Sequence, residues 1–129
     1  MPLNKIHAPR DLSPDMCRAL NEELHASLVE HCGVNPDDHF CLVLRYEPAD
    51  MMLHPTFLGT RDPDRTIVIE IALLGGRTDE QKETLYKDLR RRMRAIGFDP
   101  ANSIVYLLEN GAIDWSFSEA GSVKTALGL

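Results

Sequence analysis

Four kinds of residue in this 129-residue chain could do chemistry at the spacing in which they occur. Pro2 stands directly behind Met1, so trimming of the methionine would leave a secondary amine at the N-terminus. An unperturbed terminal amine titrates near 8, which lets burial or a neighbouring charge leave it neutral or protonated at pH 7. Neutral, it is a base or nucleophile; protonated, it polarises a carbonyl. Arg77 lies between Gly76 and Thr78, where a short turn meets a helix start, and its guanidinium fork matches a carboxylate. A surface ion pair is the plainer use of such an arginine. Asp38 follows the Gly33-Val34-Asn35-Pro36 turn and could steady a protonated amine or order a water, or act only as a turn residue. Trp115 and Phe117, two apart, share a side if extended and could wall a small pocket or simply pack.

The elements that must position these residues repeat at an offset of about 64 residues. Each half reads strand, helix, strand. In the first, Leu3 to Ala8 alternates, and Ser13-Pro14 supplies an N-cap with proline at the first helical position. Cys17, Leu20, Leu24 and Leu28 then make one apolar stripe, Gly33 ends the helix, and Phe40 to Tyr46 forms the next strand. In the second half, Thr66 to Leu74 reads as a central strand, and Thr78 with Gln81 as a capping box. Leu85, Leu89, Met93 and Ile96 mark the apolar face of a helix closed by Gly97, and Ser103 to Leu108 is the fourth strand. The turn Gly97-Phe98-Asp99-Pro100 matches that at Gly33.

A strand-helix-strand unit of this length joins two parallel strands by a right-handed crossover. The fold class is therefore α+β in two layers: two β-α-β repeats, about 2–46 and 66–109, forming a four-stranded mixed sheet with two helices on one face. The opposite face needs a cover, which oligomerisation supplies. The segment 47–65, with Pro48, Pro55, Gly59 and Pro63, is too long for a plain connection and reads as functional or as an interface arm. The tail 111–129 carries the only tryptophan.

One domain over 1–129 is expected from the length, with 43% hydrophobic residues enough for a single core. The net charge of -6 argues against nucleic acid and an anionic membrane as partners. Cys17, Cys32 and Cys41, an odd number without a CxxC pair, read as reduced core thiols of a cytoplasmic protein. No leader is evident, and no apolar run approaches the roughly 18 residues of a membrane span. The five histidines lack metal-ligand spacing, the glycines make no phosphate loop, and no cofactor is expected. Arg90, Arg91, Arg92 and Arg94 read as the solvated face of an amphipathic helix near Glu83 and Asp88.

Taken together, these residues resemble the tautomerase superfamily and, within it, the malonate semialdehyde decarboxylase family. The resemblance runs through Pro2-Leu3, Gly33-Val34, Asp38-His39-Phe40, Pro48, Asp50-Met51, Leu58-Gly59, Gly76-Arg77-Thr78, Gln81-Lys82 and Glu109-Asn110 to Asp114-Trp115-Ser116-Phe117. It implies that Pro2 is the catalytic amine, that Arg77 holds a substrate carboxylate, that Asp38 assists near the amine, and that Trp115 and Phe117 line an apolar pocket. It also implies a homotrimer and a cofactor-independent decarboxylation of a small β-keto acid such as malonate semialdehyde. Tautomerisation, hydration of an unsaturated acid or dehalogenation of a haloacrylate are alternatives on the same machinery, and a non-catalytic trimeric binding module is one from another class. Gly75 stands where some members carry a second arginine, Ser118 replaces an expected glycine, and an expected aromatic is absent around Val123 and Lys124.

Overall fold

A computed structural model describes residues 1–129 and places seven main elements along the chain. They are β1 (Leu3–Pro9), α1 (Pro14–Cys32), β2 (Phe40–Tyr46), β3 (Ile67–Leu74), α2 (Asp79–Ala95), β4 (Ser103–Asn110) and the one-turn α3 (Val123–Ala126). Ser13 caps α1 by accepting the Met16 N–H, and the helix ends at Gly33 in the left-handed region at φ 67°, where a side chain would be strained. Thr78 and Gln81 form the capping box of α2 in both directions. Gly97 takes φ 85° at the matching place after α2.

The sheet order is β2-β1-β3-β4, with β1 parallel to β2, β3 parallel to β4, and β1 antiparallel to β3. Two crossover units thus lie head to tail, as the repeat requires, and each buries one strand face under its helix. Ile6, Ile67, Ile69 and Ile71 from the sheet meet Leu20, Leu24, Leu28, Leu85, Leu89 and Met93 from the helices, all fully buried. Each such side chain contributes about 1.5–3 kcal/mol of transfer free energy. No helix is long and apolar enough to cross a membrane.

The helices are also joined by charge. Ser27 Oγ of α1 donates to Asp88 Oδ2 of α2 at 2.8 Å, and Asp88 accepts from Nε of Arg92 at 2.7 Å and Nε of Arg91 at 3.1 Å. Arg92 reaches on to Glu23 at 3.0 Å and Glu30 at 2.6 Å of α1. Burial alone would raise the Asp88 carboxyl, but hydrogen bonds from Arg92, Arg91 and Ser27 hold it well below the usual carboxylate range. The solvated face expected for the arginine run is therefore only partly solvated: Arg92 is mostly buried because it bridges the two helices.

The other sheet face is uncovered and largely apolar. Phe40, Leu42 and Leu108 remain 46%, 51% and 47% exposed. Near its centre Tyr106 donates to Glu70, Lys5 lies 3.5 Å from the same carboxylate, and His7 Nδ1 bonds the Tyr46 hydroxyl at 2.5 Å.

Candidate active site

The N-terminus enters the fold at the end of the sheet where β1 begins and β3 finishes. Leu3 pairs with Phe40 on one side and Ala72 on the other, so Pro2, one residue earlier, is flanked by the starts of β2 and the end of β3. Pro2 is buried. The terminal amine of Met1 makes an ion pair with Asp38, which the Gly33 to Pro36 turn delivers to the same end. Asp38 N–H is itself held by Asn35 O at 2.9 Å, so the carboxylate stands on a short, closed turn rather than a free loop.

A cavity of about 470 Å³ opens beside this pair, lined by Met1, Asp38, Phe40, Phe117, Val123 and Leu127 among others. Phe117 packs against Phe40 with ring centroids 5.4 Å apart and stacks on Trp115 at 5.9 Å with nearly parallel planes. The Trp115 indole N–H donates to the Asn110 side chain at the end of β4, which ties the aromatic wall to the sheet. Val123 N–H donates to Trp115 O at 2.8 Å, folding α3 back over the wall. Phe40, Val123 and Leu127 are cavity residues that sequence reasoning did not single out. The signal for the last two was Ser122 as an N-cap with apolar residues four apart behind it, a pattern too short to stand out in a tail.

Arg77 reaches the same end of the sheet by another route. Its Nε donates to Cys32 O at 3.0 Å and its Nη1 to Leu74 O at 2.8 Å, while Nη2 has no partner in the chain. The guanidinium is thus fixed by two backbone carbonyls, from the last residues of α1 and β3, and does not line the 470 Å³ cavity. Met1, Asp38, Phe40 and Phe117 line that cavity together, and Arg77 is not among its lining residues. Glu109, ion-paired with Lys82, lies against this turn: a Cβ on Gly75 would come 3.1 Å from its Oε2. The hydrogen bond from Lys82 keeps the Glu109 carboxyl below its ordinary range, so a carboxylate faces the turn that carries Arg77.

Only Glu30, His31 and Asp88 bring three metal-ligand groups within 4.8 Å of one another. The Asp88 oxygens already accept from Ser27, Arg91 and Arg92, and the two guanidinium charges oppose a cation there. What the amine end offers instead is acid-base and carbonyl chemistry: a terminal nitrogen, a carboxylate on it, and an apolar wall.

The family profile described as "Tautomerase enzyme" matches residues 38–118. This chain belongs to the tautomerase superfamily. It is 30% identical over 118 residues to the "Probable tautomerase YusQ" of Bacillus subtilis, covering 91% of this chain and 93% of that one. Among solved structures, the tautomerase-like chain superposes on FG41 malonate semialdehyde decarboxylase inhibited by 3-bromopropiolate with a TM-score of 0.86 at 28% identity, covering 98% and 95% of the two chains. A second malonate semialdehyde decarboxylase, studied for its decarboxylase and hydratase activities, gives 0.85 at 29% identity over 98% and 97%. A fused 4-OT symmetric trimer gives 0.77 at 21% identity over 96% and 98%, a likeness of fold.

Proposed function

We propose that this protein is a cofactor-independent decarboxylase of a small β-keto acid such as malonate semialdehyde, yielding acetaldehyde and carbon dioxide. The observation that carries the reading is the terminal amine seated on Asp38 at the mouth of a cavity walled by Phe40 and Phe117. The likeness to two malonate semialdehyde decarboxylases over nearly the whole chain supports it. In this reading Met1 is removed and the Pro2 nitrogen takes over as the amine that Asp38 steadies.

The substrate carboxylate binds the unpartnered Nη2 side of Arg77, and the protonated Pro2 amine donates to the aldehyde oxygen. The carboxylate is held out of the carbonyl plane, which aligns the breaking C–C bond with the π system. That electron pair moves into the carbonyl as carbon dioxide leaves, the ammonium stabilises the developing oxyanion, and protonation of the resulting enol carbon gives acetaldehyde. Alternatively the free amine condenses with the aldehyde, water leaves, the iminium accepts the pair to become an enamine, and protonation of its carbon restores an iminium that water hydrolyses to acetaldehyde and the free amine. The aromatic wall of Trp115 and Phe117 excludes water from the reacting carbon.

Asp38 favours a second reading on the same groups, since a carboxylate beside the amine can also activate water for hydration or pass a proton in tautomerisation. A homotrimer, in the cytoplasm, completes the proposal: the exposed face bearing Phe40, Leu42 and Leu108 is the surface it would bury. The test is incubation with malonate semialdehyde and with unsaturated and halogenated three-carbon acids, following acetaldehyde, carbon dioxide, hydrated acid and halide. Turnover of the semialdehyde to acetaldehyde supports decarboxylation; turnover of the other acids alone selects the hydratase or dehalogenase reading, and inertness toward all of them leaves a binding module.

A further inference from the structure

The arginines of α2 divide sharply by what they touch. Arg91 and Arg92 neutralise Asp88, Glu23 and Glu30, whereas Arg90 and Arg94 make no ion pair at all. Nor does Arg61, which the 47–65 segment brings alongside them. These three arginines and His54 line one cavity of about 690 Å³ at the β4 edge of the sheet, the edge opposite the one that holds Phe40, and no carboxylate lines it. Concentrating three uncompensated cations costs free energy in a chain of net charge -6 that has 20 Asp+Glu available to pair with them.

Two of the three cations are also held in place. Arg90 is half-buried and donates to Ser103 O at 3.1 Å and to Tyr86 O at 3.4 Å, which fixes its fork at the cavity. Arg61 donates to Phe57 O at 2.7 Å and to His54 O at 2.5 Å, and its buried Nε has no partner. His54 Nδ1 accepts the N–H groups of Thr56 and Phe57, both at 3.1 Å, so Nε2 carries the proton and is left as a donor. Within the same loop Leu58 sits at φ 49°, a left-handed conformation unfavourable for a leucine, which the loop retains while presenting Phe57 and Leu58 to the cavity. Guanidinium forks plus an N–H donor suit a phosphate, and the neighbouring apolar side chains suit an organic body attached to it.

We propose that this cavity binds a small organic phosphate, distinct from the substrate of the amine site. The test titrates the intact protein with phenyl phosphate, inorganic phosphate, citrate and benzoate by calorimetry and thermal shift. The Arg94 side chain makes no hydrogen bond within the chain, so Arg94→Glu reverses a charge at the cavity without breaking one. Phenyl phosphate should saturate at one per chain, at least tenfold tighter than benzoate, and Arg94→Glu should weaken it at least tenfold with ligand-free melting temperature and oligomeric mass unchanged. Absence of saturable binding, equal binding by Arg94→Glu, or citrate binding as tightly as phenyl phosphate would overturn the assignment. Binding lost in Arg77→Ala but kept in Arg94→Glu would place the anion at the amine end, and a changed mass in Arg94→Glu would give the arginines to a subunit contact; either result also overturns it.

Discussion

The terminal amine of Met1 is ion-paired with Asp38, and Pro2 is buried directly behind it. One covalent cut between Met1 and Pro2 therefore decides whether the nitrogen next in line is an amide or a basic secondary amine. Mass spectrometry of the purified protein should show a chain lighter by one methionine wherever activity is found. Pro2→Ala should then lower kcat by at least about 100-fold, the loss expected when a catalytic amine is displaced, with melting temperature preserved. Full activity in that variant would remove proline from the mechanism. Borohydride added during turnover should trap a covalent adduct only if the iminium route operates.

Asp38→Asn removes the negative charge that favours a protonated amine at this position. In a proline-dependent reaction the alkaline limb of the pH-rate profile should move to lower pH. An unmoved limb would mean that Asp38 does not act through the amine.

Arg77 has a structural task as well as its proposed one, so its variants should separate the two. Arg77→Lys keeps the charge and loses the planar fork, and kcat/KM should drop about 100-fold. Arg77→Ala should lose activity more completely and also about 1–2 kcal/mol of stability from the bonds to Cys32 O and Leu74 O, read in a urea melt.

Asp88→Asn tests the joint between the helices. Because Asp88 ionises at lower pH folded than unfolded, where aspartate titrates near 3.9, its contribution is complete above about pH 4 and declines as the pH falls further. The variant should be about 2–3 kcal/mol less stable at pH 7, and the two proteins should converge in strong acid. A gap that persists unchanged below the carboxylate range would show that ionisation is not what the joint uses.

The thiols should be inert in the folded chain. Burial, aided by Cys17, pushes Cys41 up to about 11, and burial also raises Cys32. A disulfide reagent at pH 8 should modify Cys41 and Cys32 far more slowly than an unfolded thiol, whose ordinary value is about 8.5, and all three cysteines should react quickly only in denaturant.

The fold was legible because its signals are local and doubled. Ser13-Pro14, Gly33, Thr78 with Gln81, and Gly97 mark helix ends by backbone chemistry that tertiary contacts seldom override, and each has a counterpart in the other half. The strands fell within a residue or two of their expected limits for the same reason. The amine end was legible only as separate residues. That Asp38 would meet the terminus follows from the parallel register of Leu3 with Phe40, and that register depends on the whole crossover. The arginine run misled because sequence neighbours on a helix face different partners: Arg92 turns to α1, Arg90 to β4. Spacing along the chain cannot show that Asp88 is buried between two helices, nor that the 47–65 segment returns to Arg90 and Arg94.

The offset that relates Leu3 to Ile67 also relates Pro2 to Thr66 and Asp38 to Asn102. At that second position the nitrogen belongs to a mid-chain amide, Thr66 Oγ1 donates to Asp62 O at 2.7 Å, and Asn102 accepts the Asp62 N–H at 2.8 Å. The architecture is doubled, but a polypeptide has one beginning. Active-site titration with an amine-directed inactivator should therefore end at one equivalent per chain, and the twin location is free to diverge without cost to the chemistry at the first.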